Sequence, residues 1–269
     1  MTDFQRYLHA KRTVDDRAID RRVLDHLERE LPEGPLDVVE IGAGVGTGIS
    51  RLLDWGVLSG DVSYTAIDRR AENVAAAREH LLEAGFVEEG DRLRRDGVAV
   101  SLVAGDAFDA LEGDYDLLIA QAVLDLVDLD GALPILFAAL SPGGLAYFPI
   151  TFDGGTLFDP AHPIDGRVVE AYHRDMDREG SSRTGRLLLS AVPEADGEVL
   201  AAGSSDWVVY PPYRDEEREF LGHILDTIEG ALAEDLGSEF EDWLTTRRGQ
   251  VDREELTYVA HQLDVLCRV

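Results

Sequence analysis

The chain reads as an α/β protein: a doubly wound, mostly parallel sheet with an N-terminal helical lid and helical cap insertions. Three observations predict this. Between residues 36 and 150, strand-like and helix-like segments alternate five times, which is the mark of βαβ units. The first of these strands runs directly into a glycine turn that opens a helix. The 269 residues are 45% hydrophobic, enough to bury a sizeable core in one α/β domain with additions.

Residues 4–30 carry Ala18, Ile19, Val23, Leu24 and Leu27 at helical spacing, and Pro32, Gly34 and Pro35 stop the helix. Residues 36–41 are a short β-rich run. Residues 47–55 follow as helix, 62–68 as strand ending at Asp68, and 72–84 as an alanine-rich helix closed near Gly85. Residues 98–103 and 115–120 are the third and fourth strands, and 133–140 is helical. Ser141-Pro142-Gly143-Gly144 makes a turn before a fifth strand over 145–150. The rhythm then changes. Residues 151–166, rich in Gly, Pro and Asp, read as a loop, followed by helices over 167–178 and 184–192. Trp207 to Tyr210 is a strand stopped by Pro211 and Pro212, and 215–248 holds two helices. The last segment suits a helix capped by Asp252 and Glu255, but Tyr258-Val259-Ala260 favours a strand that closes the sheet. The expected organisation is a lid over residues 1–34, a ligand-binding α/β core over 35–152, a cap or substrate insert over 153–205, and strands and helices completing the sheet over 206–269.

The glycine segment is Glu40-Ile41-Gly42-Ala43-Gly44-Val45-Gly46-Thr47-Gly48. Glycines let a ligand approach the backbone where Cβ atoms would collide. The dinucleotide fingerprint G-x-G-x-x-G would need a small residue at Thr47, and no Gly-Lys-Ser/Thr of a P-loop occurs. The spacing is instead G-x-G-x-G, with an acid two residues before it. At these residues the chain resembles the class I S-adenosylmethionine-dependent methyltransferases, and the resemblance runs from about residue 36 to 150. It implies a seven-stranded, Rossmann-like methyltransferase fold and S-adenosyl-L-methionine as cofactor. It implies that Glu40, Gly42, Ala43, Gly44 and Gly46 form the loop, and that Asp68, followed by Arg69, takes the ribose hydroxyls. Gly105, Asp106 and Ala107 match the adenine segment, and Gln121 after the fourth strand borders the methionine part. The chemistry agrees: a carboxylate accepts from both hydroxyls of a vicinal diol, and the adenine amino group is a donor.

The acceptor side of such a site is less legible. Methyl transfer needs alignment and exclusion of water, and a base only where the acceptor carries a proton. Two regions offer candidates. The insert contributes Asp153, Asp159, His162, Tyr172, His173 and Asp175, with Tyr172 and His173 expected to be catalytic. The N-terminal segment contributes Tyr7, Lys11, Arg12, Asp15, Asp16 and Arg17. His261, Cys267, Trp243 and Trp207 read as packing or surface residues, and no His/Cys/carboxylate set has metal-ligand spacing. The expected activity is O- or N-methylation of a small molecule. The alternatives are a noncatalytic S-adenosylmethionine-binding sensor and an aminopropyltransferase of the same fold.

Charge narrows the partners. Twenty-five Lys+Arg face 54 Asp+Glu, a net charge of −29, and Lys11 is the sole lysine. This balance disfavours nucleic acid and anionic membranes. No run of about 18 apolar residues exists, and the first residues lack the apolar core of a secretory signal. A cytoplasmic monomer or homodimer with a small-molecule substrate, no nucleic-acid or membrane partner and no metal is expected. Acid excess with almost no lysine resembles proteins of salt-adapted cytoplasms, where a Debye length of about 3 Å at 1 M salt screens carboxylate repulsion. Chemical unfolding in 0.1 M and 2 M KCl checks this. The midpoint is expected to rise with salt, and an unchanged midpoint would count against adaptation.

Overall fold

The structure, a computed structural model, describes residues 2–214, 216–232 and 237–269. Its N-terminal segment is three helices where the periodicity predicts one: α1 (Asp3–Ala10), α2 (Arg12–Ala18) and α3 (Arg21–Glu30). Local chemistry makes the breaks. The Thr2 hydroxyl accepts from Gln5 N while Thr2 N donates to Gln5 Oε1, a reciprocal cap for α1. Ile19 leaves the helical region (φ −48°, ψ 126°). Asp20 then opens α3 by accepting from Arg22 N and Val23 N.

The α/β core follows as β1 (Leu36–Ile41), α4 (Thr47–Asp54), β2 (Val62–Asp68), α5 (Ala71–Glu83), the hairpin β3 (Val87–Glu89) and β4 (Arg92–Arg95), β5 (Val98–Ala104), α6 (Ala107–Ala110), β6 (Tyr115–Ala120) and α7 (Leu129–Ala138). Next come β7 (Leu140–Asp159), α8 (Asp165–Met176), α9 (Thr184–Glu194), β8 (Glu198–Ser204), β9 (Trp207–Val209), α10 (Glu217–Leu232), α11 (Ser238–Asp252) and β10 (Thr257–Arg268). Helices α10 and α11 are the pair expected over 215–248; residues 215 and 233–236 of that stretch lie outside the described residues.

The sheet order is β3-β4-β5-β2-β1-β6-β7-β10-β8, with β9 also paired to β10. Strands β5, β2, β1, β6 and β7 are parallel, and β10 runs antiparallel to both β7 and β8. The architecture is the mostly parallel, Rossmann-like one the sequence predicts, and the last segment is the closing strand. The strand count differs. Among the described residues the sheet has ten strands rather than seven, because the hairpin β3–β4 extends the β5 edge and β9 adds to β10. Both faces are covered, as a parallel sheet requires. Val38 of β1 packs into one core cluster, and its neighbour Val39 into the other.

The expected loop over 151–166 is the other correction. Strand β7 continues to Asp159 because the first half of β10 pairs with it, Thr257 opposite Asp159 and Tyr258 opposite Phe158. The insert over 153–205 is therefore not a separate cap. Its start prolongs β7, its end is β8, and Leu188 and Val192 of α9 are buried beneath the sheet with Val265 and Cys267. Only α8 stands off, packed on α10 and β7. Where β7 passes the ends of its neighbours the backbone is strained: Ile150 has φ 55° and Ala122, just after β6, has φ 52°. Ala122 N donates to Pro149 O, joining the two sites. No helix among the described residues is long and apolar enough to cross a membrane.

Asp264 holds this bend. It is fully buried and accepts from Ile150 N (2.8 Å), Asp20 N (2.9 Å) and the Tyr147 hydroxyl (3.1 Å). Asp264→Ala leaves three donors without an acceptor and is expected to cost about 3 kcal/mol. Urea unfolding measures this; a loss below about 1 kcal/mol would remove Asp264 from the role.

Candidate active site at the strand carboxyl ends

Strand β1 lies between β2 and β6, so the strand order reverses there and leaves a crevice at the carboxyl ends. The glycine turn fills that position. Gly42, Gly44 and Gly46 have φ of 67°, 56° and 77°, a region closed to most side chains. Gly48 is small for a different reason: a Cβ there would lie 2.6 Å from Glu40 Oε1. Glu40 therefore supports the loop from below. It is 3% exposed and accepts from the Tyr64 hydroxyl at 2.8 Å. Burial pushes its carboxyl up to about 7, against the Tyr64 hydrogen bond and the Arg51 charge.

Asp68 ends β2 beside the loop. Its Oδ2 accepts from Gly44 N (2.9 Å) and its Oδ1 from Arg70 N (2.9 Å) and Asn73 Nδ2 (3.1 Å). These bonds fix the carboxylate against the backbone it would share with a ligand. Gly105 N donates to Asp68 O, which ties the β5 end to the β2 end. Asp106 is exposed and accepts from Phe108 N; Ala107 begins α6. Arg69 is exposed, and Ala43 N donates to Ile67 O.

The N-terminal helices close over these elements through one buried carboxylate. Asp15, fully buried, accepts from Gln121 Nε2 (2.8 Å) and Trp207 Nε1 (2.9 Å), and faces Lys11 Nζ at 3.4 Å. Arg51 of α4 is also buried. Its Nη1 donates to Gln121 Oε1 (2.8 Å), its Nε to Asp16, and its Nη2 has no hydrogen-bond partner. Leu8 of α1 rests on Gly44, and Val123 rests on Gly42. Sequence reasoning named Lys11, Asp15, Asp16 and Gln121. It missed Arg51 and the hydrogen-bonding part of Trp207, and no local pattern marks either.

On α8 the two catalytic candidates have different partners. Tyr172 is half-buried with its hydroxyl pushed up to about 12 by burial and by the charges of Asp125 and Asp175. The His173 ring meets Thr156 Oγ1 at 3.2 Å and packs edge-on to Phe152, and burial lowers its basicity. Of the other candidates, Asp153 accepts from Arg186 N and Nε and faces His261 at 3.5 Å, Asp175 pairs with Arg178, Asp159 is exposed, and His162 N donates to Asp165. Arg17 is ion-paired to Glu217 and Arg12 to Asp16.

Residues 39–148 match the family model described as "Methyltransferase domain". A "Methyltransferase" of Claviceps purpurea (strain 20.1) is 30% identical over 200 residues, 74% of this chain. The chain spans about half (54%) of that relative's length. In structure the chain is similar to a candidate methyltransferase of Bacillus halodurans C-125 (TM-score 0.56, 13% identity, 91% of this chain and 97% of that one). It is also similar to an S-adenosylmethionine-dependent methyltransferase of Thiobacillus denitrificans solved with S-adenosyl-L-homocysteine (TM-score 0.51, 17% identity, 93% and 92%). The matched segment is a methyltransferase domain.

Glu40 gives a pH dependence of known sign. Its folded carboxyl lies at about 7, above the usual 4.5, so its contribution to stability is full below about pH 4.5 and lost as pH rises to about 7. Glu40→Gln keeps the acceptor for Tyr64 without this ionisation. The stability difference between wild type and variant is expected to move in the variant's favour across that window. Urea midpoints at pH 5 and 7.5 measure it, and a constant difference would refute it.

Proposed function

We propose that this chain is an S-adenosylmethionine-dependent methyltransferase acting on a small-molecule acceptor. The observation that carries the reading is the crevice itself. Three left-handed glycines and a carboxylate pinned to Gly44 stand at the strand-order reversal, under a lid whose buried hydrogen bonds reach the same strand ends. The donor and acceptor set fits the cofactor. Asp68 suits a ribose diol and Asp106 an adenine amino group. When bound, the cofactor supplies an electrophilic methyl group. The chain's residues bind it, align the acceptor and exclude water.

Leu8 and Val123 lie on the glycine loop, so α1 and the segment after β6 must shift for the cofactor to enter. The helices of that segment break at Lys11 and at Ile19–Asp20. On the acceptor side this reading places Tyr172, whose hydroxyl feels the Asp125 charge, and His173 takes no step in it.

Thermal unfolding with S-adenosyl-L-homocysteine and with NADH tests the proposal. Only the former is expected to raise the melting temperature, by linkage of binding to folding. Asp68→Ala is expected to weaken S-adenosyl-L-homocysteine binding roughly tenfold to a hundredfold in calorimetry. A shift with NADH alone would return the site to a dehydrogenase. Tight binding with no turnover on any acceptor would make it a sensor.

A further inference from the structure

The sheet outruns the helix that covers one of its faces. Helix α9 begins over the middle of β10, where a Cβ on Gly185 would lie 3.3 Å from Leu263 Cβ. Beyond that point β7 and β10 run on to Asp159 and Thr257, and β9 joins them. Leu157 stands opposite Val259, and Val259 opposite Val208, so the three side chains form one apolar row across three strands, on the α9 face. Their neighbours Phe158, Tyr258 and Val209 point the other way, into the main core. Among the described residues neither core cluster includes the row itself. Leu157 is 59% exposed and Val208 42%, and Tyr210, just past the end of β9, is 51% exposed. Exposed apolar side chains scattered singly are ordinary, but a contiguous row on an uncovered sheet face is a contact surface.

A cleft follows the row at each edge. The one on the β9 side, about 240 Å³, is lined by Val208, Tyr210 and Arg214 and by Val14 and Arg17 of α2. The one on the β7 side, about 220 Å³, is lined by Leu157 and Phe158 and by Gly166 and Val169 of α8. Most charged residues of the clefts and of this face are paired within the chain. Arg17 pairs with Glu217 and Asp165 with Arg247, and His261 lies 2.7 Å from Asp206 and 3.5 Å from Asp153. Two are left without an ion pair among the described residues. Asp159 is exposed on the β7 side, two residues past Leu157 and opposite Thr257. Arg214 is exposed on the β9 side, in the cleft with Tyr210. One anion and one cation thus flank the apolar row, on opposite sides of β10.

We propose that this face is a homodimer interface, on which a second copy of the chain packs face to face about a two-fold axis running along β10. Such an axis exchanges the β7 and β9 sides, and each patch then meets itself. Leu157 lies over Val208 of the second copy, Val259 over its own counterpart, and Asp159 beside Arg214 of the second copy. Both unpaired charges are matched, twice over, and the exposed apolar side chains of one edge meet the cleft at the other. This self-complementarity is what selects a second copy as the occupant. Burial of the apolar row drives the association, while the ion pairs at its rim add little affinity and fix the register. Over the rest of the surface the net charge of −29 opposes the approach of two copies, and salt screens that repulsion.

Sedimentation equilibrium of the full chain in 0.5 M KCl tests this. At about 100 μM the mass is expected to be twice that of the chain, with a dissociation constant in the micromolar range or tighter. Leu157→Glu and Val208→Glu are each expected to weaken the dimer at least tenfold. Both side chains are exposed, and unchanged melting temperatures show that the variants fold. Asp159→Arg and Arg214→Asp, each alone, set like charges against each other and are expected to weaken the dimer about threefold or more. An equimolar mixture of those two variants is expected to restore it, because both opposed pairs then join unlike charges again. A monomer at about 100 μM, an oligomer that both glutamate substitutions leave intact, or a mixture no tighter than its two components overturns the inference.

Discussion

The closed form of the site depends on one buried carboxylate. Asp15 sits on the second N-terminal helix with no solvent exposure and gathers donors from Gln121 after β6 and Trp207 at the start of β9, with Lys11 from its own segment. A buried charge is tolerated only when its oxygens are paired, so these partners must all be in place together. The result fixes the lid relative to the strand ends with few apolar contacts to the glycine loop, mainly Leu8 on Gly44. The same helices also put Ala10, Val14, Leu24 and Leu27 into the main core, so apolar packing holds them beside the polar network.

Around that network the fold repeats one device. A buried acid anchors backbone that would otherwise be strained or unpaired. Asp264 holds the left-handed Ile150 where β7 bends past its neighbours, Asp68 pins the glycine loop through Gly44 N, and Glu40 fills the space that Gly48 leaves. Asp264 and Asp68 each accept from groups on separate elements, so each also sets the spacing between those elements. An acidic composition thus serves the interior as well as the surface.

The same arrangement gives the crevice its polarity. Lys11 and Arg51 are matched by Asp15 and Asp16, while Asp68 and Asp106 stand at the strand ends. A cofactor bearing an ammonium and a sulfonium would find favourable charge there. The domain match over 39–148 covers the cofactor half of this crevice.

The sequence by itself determined the core and the loop, because both are local. A buried parallel strand must be continuously apolar, a ligand-facing turn must be glycine, and Asp68 must follow its strand directly; each lies within a few residues of the signal that reveals it. The closing strand β10 was legible for the same reason. Tertiary structure alone decided the rest. Residues 151–159 read as a loop from their Gly and Asp content, yet they are strand because β10, a hundred residues later, supplies the partner. The hairpin β3–β4 is short and charged, and only its pairing with β5 makes it sheet. Tyr172 and His173 are neighbours in sequence, but α8 packs one against the main core and sets the other beside Thr156. Asp15, Gln121 and Trp207 carry no mark of one another along the chain. Their meeting is a matter of hydrogen-bond geometry across elements, and that geometry exists only once the sheet has brought the elements together.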